Sequence, residues 1–548
     1  MSRSKPAKSA ARSRTPFVTP LLAAVAAAIA AWLHRGALAT FFTTDDLILF
    51  ERARGIAEYP ATLWRVIPGR LWFQGLIPFF STNPGPWHAA SLFLHAAATA
   101  LVVAWARRMG ASRAAAFLAA LLFGTAARAR TAVWPVSGAG ELLATLLLLV
   151  TLLALTDEGR DERRARLSKI VAGLAQGIAM FCKETVALAP LVAWLAPPPG
   201  AARRVPWVPL ALGAAMWAYV AITRGSTGSL SGDAYALGVG PHVLNHLLTY
   251  VIWSSDFLHL FGAVAPPLTG AQSALAAALL VSLAFAAWKS GSRAAQAGLW
   301  LWLLLLLPVL PLRNAVYDHY LYAPRLGWAL AVAALLDRAV RGAAVGAAAP
   351  AWRATAARSV AAVVALLHVV TALFFLAAAE GSRIESVGLP RDTFLRKIEV
   401  ARNAAVSLEG ALRPEDRSVV IYEAAEGGQV LSVREGDVVS GEAGGPSVRQ
   451  RLLGSVLDQG RGLRALFPRL ESVRIGTSVE PADRDGALFV ANSDGRLIPC
   501  GRGPEGHLEV ARLWESVGLA ASAKLHLAQA SALHPGLESL ALEGESAP

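Results

Sequence analysis

The run Glu141-Leu142-Leu143-Ala144-Thr145-Leu146-Leu147-Leu148-Leu149-Val150-Thr151-Leu152-Leu153-Ala154-Leu155 decides the fold class. After its first residue it carries no charge, and with its flanks it reaches the roughly 17–25 apolar residues that cross a bilayer. Lipid offers a backbone no hydrogen-bond partner, so such a run satisfies its own amides and carbonyls as a helix. Similar runs recur throughout. Of 548 residues, 55% are hydrophobic and only 16% charged, with mean hydropathy +0.46. That balance excludes an ordinary soluble protein and predicts a polytopic α-helical membrane protein.

Eleven spans are predicted, at 17–34, 87–106, 113–127, 138–156, 167–182, 186–198, 206–223, 271–288, 296–312, 320–338 and 357–379. The net charge of +13 does not point to nucleic acid, because its Arg and Lys residues gather in short loops between spans. Arg107-Arg108 with Arg113, Arg160 to Lys169, Arg203-Arg204, Lys289 with Arg293, and Arg338 to Arg358 mark alternate turns, as the positive-inside rule expects. The basic segment Met1 to Arg14 is then cytoplasmic. Ala37-Leu38-Ala39 resembles a signal cleavage site, but retention of Leu21 to Trp32 as the first span keeps this polarity. His242 to Val264 would invert every later loop if it spanned. It is therefore read as re-entrant or interfacial, with Tyr250 and Trp253 at the membrane surface. Two cysteines, Cys182 in a span and Cys500 in the polar tail, give neither a disulfide framework nor a thiol metal site.

Past residue 380 the acids rise and the apolar runs shorten. Ser418 to Tyr422 and Ala487 to Ala491 read as buried strands, and 394–412 and 447–467 as amphipathic helices. The expected organisation is a basic tail over 1–16, a membrane domain over 17–380, a small extracytoplasmic α/β-type domain over 381–505, and a helical hairpin over 506–548. In that hairpin Ala511, Trp514, Gly518, Ala523, Leu527, Ala530 and Pro535 fit positions of a tetratricopeptide unit, although one such unit cannot bury its own face. Gly225 to Gly240 reads as a Gly/Ser-rich outer loop.

Four polar groups fall on the outer side of this topology. Asp45-Asp46 follows the first span; a carboxylate there could accept the proton of an attacking hydroxyl, or both acids could cap the next helix. Glu141 begins the fourth span, either as a retained intramembrane acid or as a solvated helix start. Lys183-Glu184-Thr185 joins two spans with hardly any loop, and Lys183 could meet a phosphate or snorkel beside Glu184. Arg313, Tyr317, His319, Tyr322 and Arg325 crowd before the tenth span, where cations outside the cytoplasm suit a phosphate better than an aromatic belt. Arg70 and His88 lie on the same side. The chain has no P-loop, dinucleotide fingerprint, zincin motif or zinc-spaced cysteines.

Asp45-Asp46, Gly85-Pro86-Trp87-His88, Leu92-Phe93-Leu94-His95, Ala132-Val133, Ser137-Gly138, Glu141-Leu142-Leu143, Lys183-Glu184-Thr185 and Tyr320-Leu321-Tyr322 with Pro324 occur in an order that resembles a known family. They are similar to the transmembrane and tetratricopeptide-repeat O-mannosyltransferases and their bacterial relatives, and more broadly to the GT-C superfamily. The resemblance covers roughly residues 15–340. It implies an inverting transferase in the bacterial inner membrane that moves a sugar from a polyprenyl-phosphate donor to a protein Ser/Thr or glycolipid outside the cytoplasm. It implies Asp45 as general base, Asp46 and Glu141 shaping the acceptor or a divalent cation, and Lys183 with the Tyr317–Tyr322 segment facing the donor phosphate. The chain departs from the family at Ala126-Ala127-Arg128-Ala129, where relatives carry His-Pro-x-His. Glu141 replaces an Asp, Ala139 an Arg, and Arg325 a Ser. Two other readings are a non-catalytic scaffold for envelope assembly and a lipid-linked-sugar transporter.

Overall fold

The computed structural model describes residues 18–60, 62–156, 162–225, 236–256, 258, 267–313, 316–345, 351–385, 388–423, 452–492, 494–535 and 537. The basic tail, most of the 225–240 loop, the end of the 242–264 segment and residues 447–451 of the expected helix lie outside the described residues. The membrane part is helical: α1 (Val18–Leu33), α2 (Thr44–Ala53), α3 (Trp72–Phe80), α4 (Pro84–Arg108), α5 (Arg113–Gly124), α6 (Ala139–Leu155), α7 (Glu162–Cys182), α8 (Trp207–Gly225), α9 (Pro241–Ser254), α10 (Gly270–Ser290), α11 (Arg293–Leu306), α12 (Tyr322–Val345) and α13 (Ala351–Gly381). Several of their starts are set by side chains that replace missing backbone partners. The side chain of Asn83 accepts from Gly85 N before Pro84, and that of Ser112 from Ala115 N.

Among the described residues, Pro84–Arg108, Val136–Leu155, Glu162–Cys182, Gly270–Ser290 and Arg358–Gly381 are long and apolar enough to cross a bilayer. Arg113–Gly124 with Ala127–Val133 makes a further pair, bent by 51°. Four shorter apolar helices, at Val18–Leu33, Glu184–Leu195, Trp207–Thr223 and Arg293–Leu306, coincide with predicted spans. The predicted span 186–198 is irregular, a 3₁₀ stretch over Glu184–Leu191 followed by one turn, Val192–Leu195. Pro190 removes a backbone donor there, which accounts for the broken helix.

Tyr250 and Trp253, expected as anchors at the membrane surface, do not face outward. Both are buried, in a core with Trp302, Leu306, Tyr320 and Trp328. α9 packs its aromatic face on α10 and on the segment leading into α12, so these rings serve packing rather than anchoring. α11 and α12 cross closely at two glycines: a Cβ on Gly298 would stand 2.5 Å from the Gly327 carbonyl oxygen. Only a residue without a side chain permits that approach.

The polar part is an α/β layer. Strands β1 (Ser418–Tyr422), β2 (Ser472–Gly476), β3 (Ala487–Ala491) and β4 (Leu497–Arg502) pair in the order β2-β1-β3-β4, parallel except for β3 with β4. On one face Val419, Ile421 and Phe489 pack with α14 (Thr393–Ala411) and α15 (Arg461–Leu466). On the other, Val420, Tyr422, Leu488 and Val490 pack with α16 (Gly503–Ser516) and α17 (Ala520–Leu533). Trp514 and Ala523 of the hairpin are buried against this sheet, which supplies the apolar cover a lone helical pair lacks. Leu47 and Phe50 of α2 share the first of these cores with Val400, Leu408 and Leu463. The helix after the first span is thereby built into the polar domain.

Candidate active site

A cavity of about 1520 Å³ opens between the polar domain and one end of the helix bundle. α2 presents one wall. Its N-terminus is closed by a reciprocal capping box: Thr43 Oγ1 accepts from Asp46 N (3.3 Å), and Asp46 Oδ2 accepts from Thr43 N (2.8 Å). The second oxygen of Asp46 accepts from Ser137 N at 2.6 Å, tying α2 to the turn before α6. Asp46 is thus fully buried and spent on structure. Asp45, one residue earlier, lines the cavity and stays open to it. The surrounding protein, then the charge of Asp46, hold its carboxyl above the usual range, and Lys397 opposes them. The two readings of the acid pair therefore divide between them: one acid caps and the other faces the cavity.

Glu141 and Lys183 both line the cavity and form a buried ion pair, Nζ to Oε1 2.5 Å. Gly140 makes this possible. A Cβ there would stand 3.3 Å from the Cys182 carbonyl oxygen, so the start of α6 lies directly against the end of α7. Lys183 Nζ also lies 5.1 Å from the centre of the Tyr320 ring. Arg70 lines the cavity from a π-helical turn, Ile67–Leu71, with its guanidinium 5.1 Å from the Tyr59 ring centre. Tyr317 and His319 also line it, their rings stacked at 5.3 Å.

The other expected residues are placed elsewhere. Arg325 is a correction: it is buried, and its guanidinium makes a forked ion pair with Asp256 (Nη1 to Oδ2 2.8 Å) and also donates to the Trp253 carbonyl. Asp256 Oδ2 in turn accepts from Ala127 N at 3.1 Å, so this pair fastens α12 to the altered 126–129 loop. Tyr322 is buried beside His95 (2.8 Å to Nδ1). His95 Nε2 faces the Gly124 carbonyl at 2.9 Å and must donate to it, so Nδ1 accepts the Tyr322 proton. Glu184 takes Arg65 in a fork (3.2 and 2.8 Å) and Trp64 Nε1 at 2.9 Å. His88 is buried against Phe42, and Arg313 is exposed beside Gly238.

The cavity also holds charges the sequence did not single out. Arg128 pairs with Asp318 at 2.5 Å and Arg130 with Asp392 at 2.8 Å. Arg65 occupies the left-handed region at φ 54°, a strained backbone for a residue with a side chain. With Arg52, Arg391 and Lys397, eight cations and five carboxylates line the space. Phe375 and Leu376 of α13, together with Ile48 and Leu49, give it an apolar side. Among the described residues no group of three or more His, Cys, Asp or Glu is arranged to hold a metal ion.

These features describe a largely helical membrane protein with a charged, partly apolar cavity at the edge of its helix bundle. No protein-family model and no curated protein matches the chain. Among solved structures it is similar to the crystal structure of ArnT from Cupriavidus metallidurans bound to undecaprenyl phosphate, with 13% identity and TM-score 0.44, over 85% of this chain and 92% of that one. At that similarity the likeness fixes neither fold nor activity.

Proposed function

We propose that this chain is a membrane glycosyltransferase that takes a sugar from a polyprenyl-phosphate donor and places it on a hydroxyl outside the cytoplasm. The observation that carries the reading is Asp45, a carboxylate open to a cavity where cations outnumber acids. The GT-C-like order of motifs in the sequence supports it. An anionic lipid headgroup suits the cation excess, and the apolar side formed by α13, a helix fit to cross the bilayer, suits the isoprenoid chain.

In this reading Asp45 accepts the proton of the acceptor hydroxyl as its oxygen bonds to the anomeric carbon. The bond from that carbon to the phosphate oxygen breaks, and the electron pair leaves with the polyprenyl phosphate. Lys183 and Arg70 oppose the charge that gathers on the leaving oxygen. A carboxyl held above its usual range is a stronger base than an ordinary aspartate. Glu141 holds Lys183 in place.

The test is transfer from a polyprenyl-phosphate sugar in membranes carrying Asp45→Asn. Transfer should fall by about 10²–10⁴-fold, the usual worth of a positioned base, with the amount of protein unchanged. Undiminished transfer sinks the assignment and favours a scaffold, for which deletion of the polar domain would be the damaging change.

A further inference from the structure

A second, smaller pocket of about 450 Å³ lies at the far end of α2 from Asp45. It is walled by Arg54, Ile56 and Ile77 from the membrane part and by Arg464, Pro468 and Leu470 from the polar domain. It therefore sits in the seam where α15 is packed on α2. Two arginines line it and no carboxylate does. The Nε of Arg54 and the Nε of Arg464 are both shut off from water, and neither has a hydrogen-bond partner. Buried polar atoms are nearly always paired, and an unpaired guanidinium donor is costly to keep. Glu51, near enough to Arg464 to feel its charge, does not line the pocket; it faces Arg461 (3.6 Å), which itself holds Asp458 at 2.8 Å.

We infer that this seam pocket is a binding site for a phosphate group, held between the forks of Arg54 and Arg464. A planar guanidinium matches phosphate oxygens two at a time, and two of them from segments far apart in the chain would clasp one anion. The anion would balance the charge of both guanidinium groups and join α15 to α2. The pocket's apolar members fit the glycerol or acyl start of a phospholipid. Ile77 belongs to α3, whose Phe79 is 80% exposed and whose neighbour Leu71 is 55% exposed, a surface suited to the membrane interface. The phosphate is thus either a lipid headgroup or a free anion.

The full-length protein in a zwitterionic detergent distinguishes them. Its thermal unfolding midpoint is followed while either inorganic phosphate or phosphatidylglycerol is titrated in, with phosphatidylcholine, whose choline neutralises and shields its phosphate, as the net-neutral control. A rise with phosphatidylglycerol alone supports the site and names its source as lipid. A rise with inorganic phosphate supports it and names a free anion. Arg54→Gln and Arg464→Gln should each weaken the apparent affinity by about tenfold, as the loss of a charge-assisted hydrogen bond does. Arg54→Lys, which keeps the charge but loses the fork, should fall between. If a glutamine variant fails to fold, counting phosphatidylglycerol retained by the lysine variant in native mass spectrometry gives the same answer. No shift with either probe, or equal shifts in wild type and both glutamine variants, overturns the inference.

Discussion

Lys183 Nζ and Glu141 Oε1 stand 2.5 Å apart, both buried, and each is the first charged group at the end of an apolar helix. Removing one partner of such a pair leaves the other charge without compensation. Lys183→Met should therefore cost roughly 3–5 kcal/mol of stability. The double variant Lys183→Met with Glu141→Leu should recover most of that loss while still failing in transfer. Thermal unfolding beside a transfer assay reads both outcomes. A double variant no more stable than Lys183→Met would mean the two charges are not coupled as the geometry states.

Asp45 and Asp46 should separate under the same conservative change. Asp46→Asn disturbs two backbone contacts, to Thr43 and to Ser137, and loss of a cap typically costs about 1 kcal/mol, with the Ser137 contact adding to it. Asp45→Asn breaks no such contact. Because its folded-state pKa is raised, its ionised form opposes folding, and the stability it contributes is present at low pH and lost as pH rises through that raised value. At neutral pH Asp45→Asn should leave the unfolding midpoint unchanged or higher, whereas Asp46→Asn lowers it.

The acid limb of the pH–rate profile should move with Lys397. That ammonium opposes the burial and the neighbouring charge that raise the Asp45 pKa. Lys397→Met removes the opposing effect, so the pKa rises further and transfer should fade at a higher pH than in wild type. A profile unmoved by Lys397→Met would disconnect its acid limb from Asp45.

Much of this arrangement was legible because each element carries its own signal. The apolar runs mark the helices, and β1 and β3, buried on both faces, appear as unbroken apolar stretches. β2 and β4 lack that signal: Arg474 interrupts β2, and four of the six β4 residues are exposed. The pattern over 447–467 predicts a continuous helix, but Gln459 sits at φ 56° and breaks its described part. At the site, Asp45, Glu141 and Lys183 stood out as acids and a cation at span ends. Arg128 and Arg130 did not, because their partners lie 190 and 262 residues away, and only the closed tertiary structure pairs them. Arg325 failed the other way: a cation near aromatics suggested phosphate, while its true partner, Asp256, sits in a segment read as interfacial.

His507 and His526, 3.1 Å apart under the helical hairpin with His534 beside them, should make the polar domain acid-sensitive. Burial holds His507 down to about 4 and His526 to about 3, and lowers His534 as well. Asp483 offsets this at His507 and Asp485 at His534, while Arg474 and Arg484 add to it at His526 and His534. Asp483 is itself held by Tyr422 (2.8 Å) and Arg474. A histidine with a lowered folded-state pKa contributes no penalty above its unfolded value, near 6.5. As pH falls from there toward 4, the unfolded chain takes up protons that the folded one refuses, and stability is lost. Protection factors, the exchange rates corrected for the intrinsic rate at each pH, should fall in α16 and α17 across that window, ahead of those in α6 and α7. His526→Gln removes one of the three and should shrink that fall. Equal protection factors in these helices at pH 7 and pH 4.5 would show that the trio does not govern the hairpin.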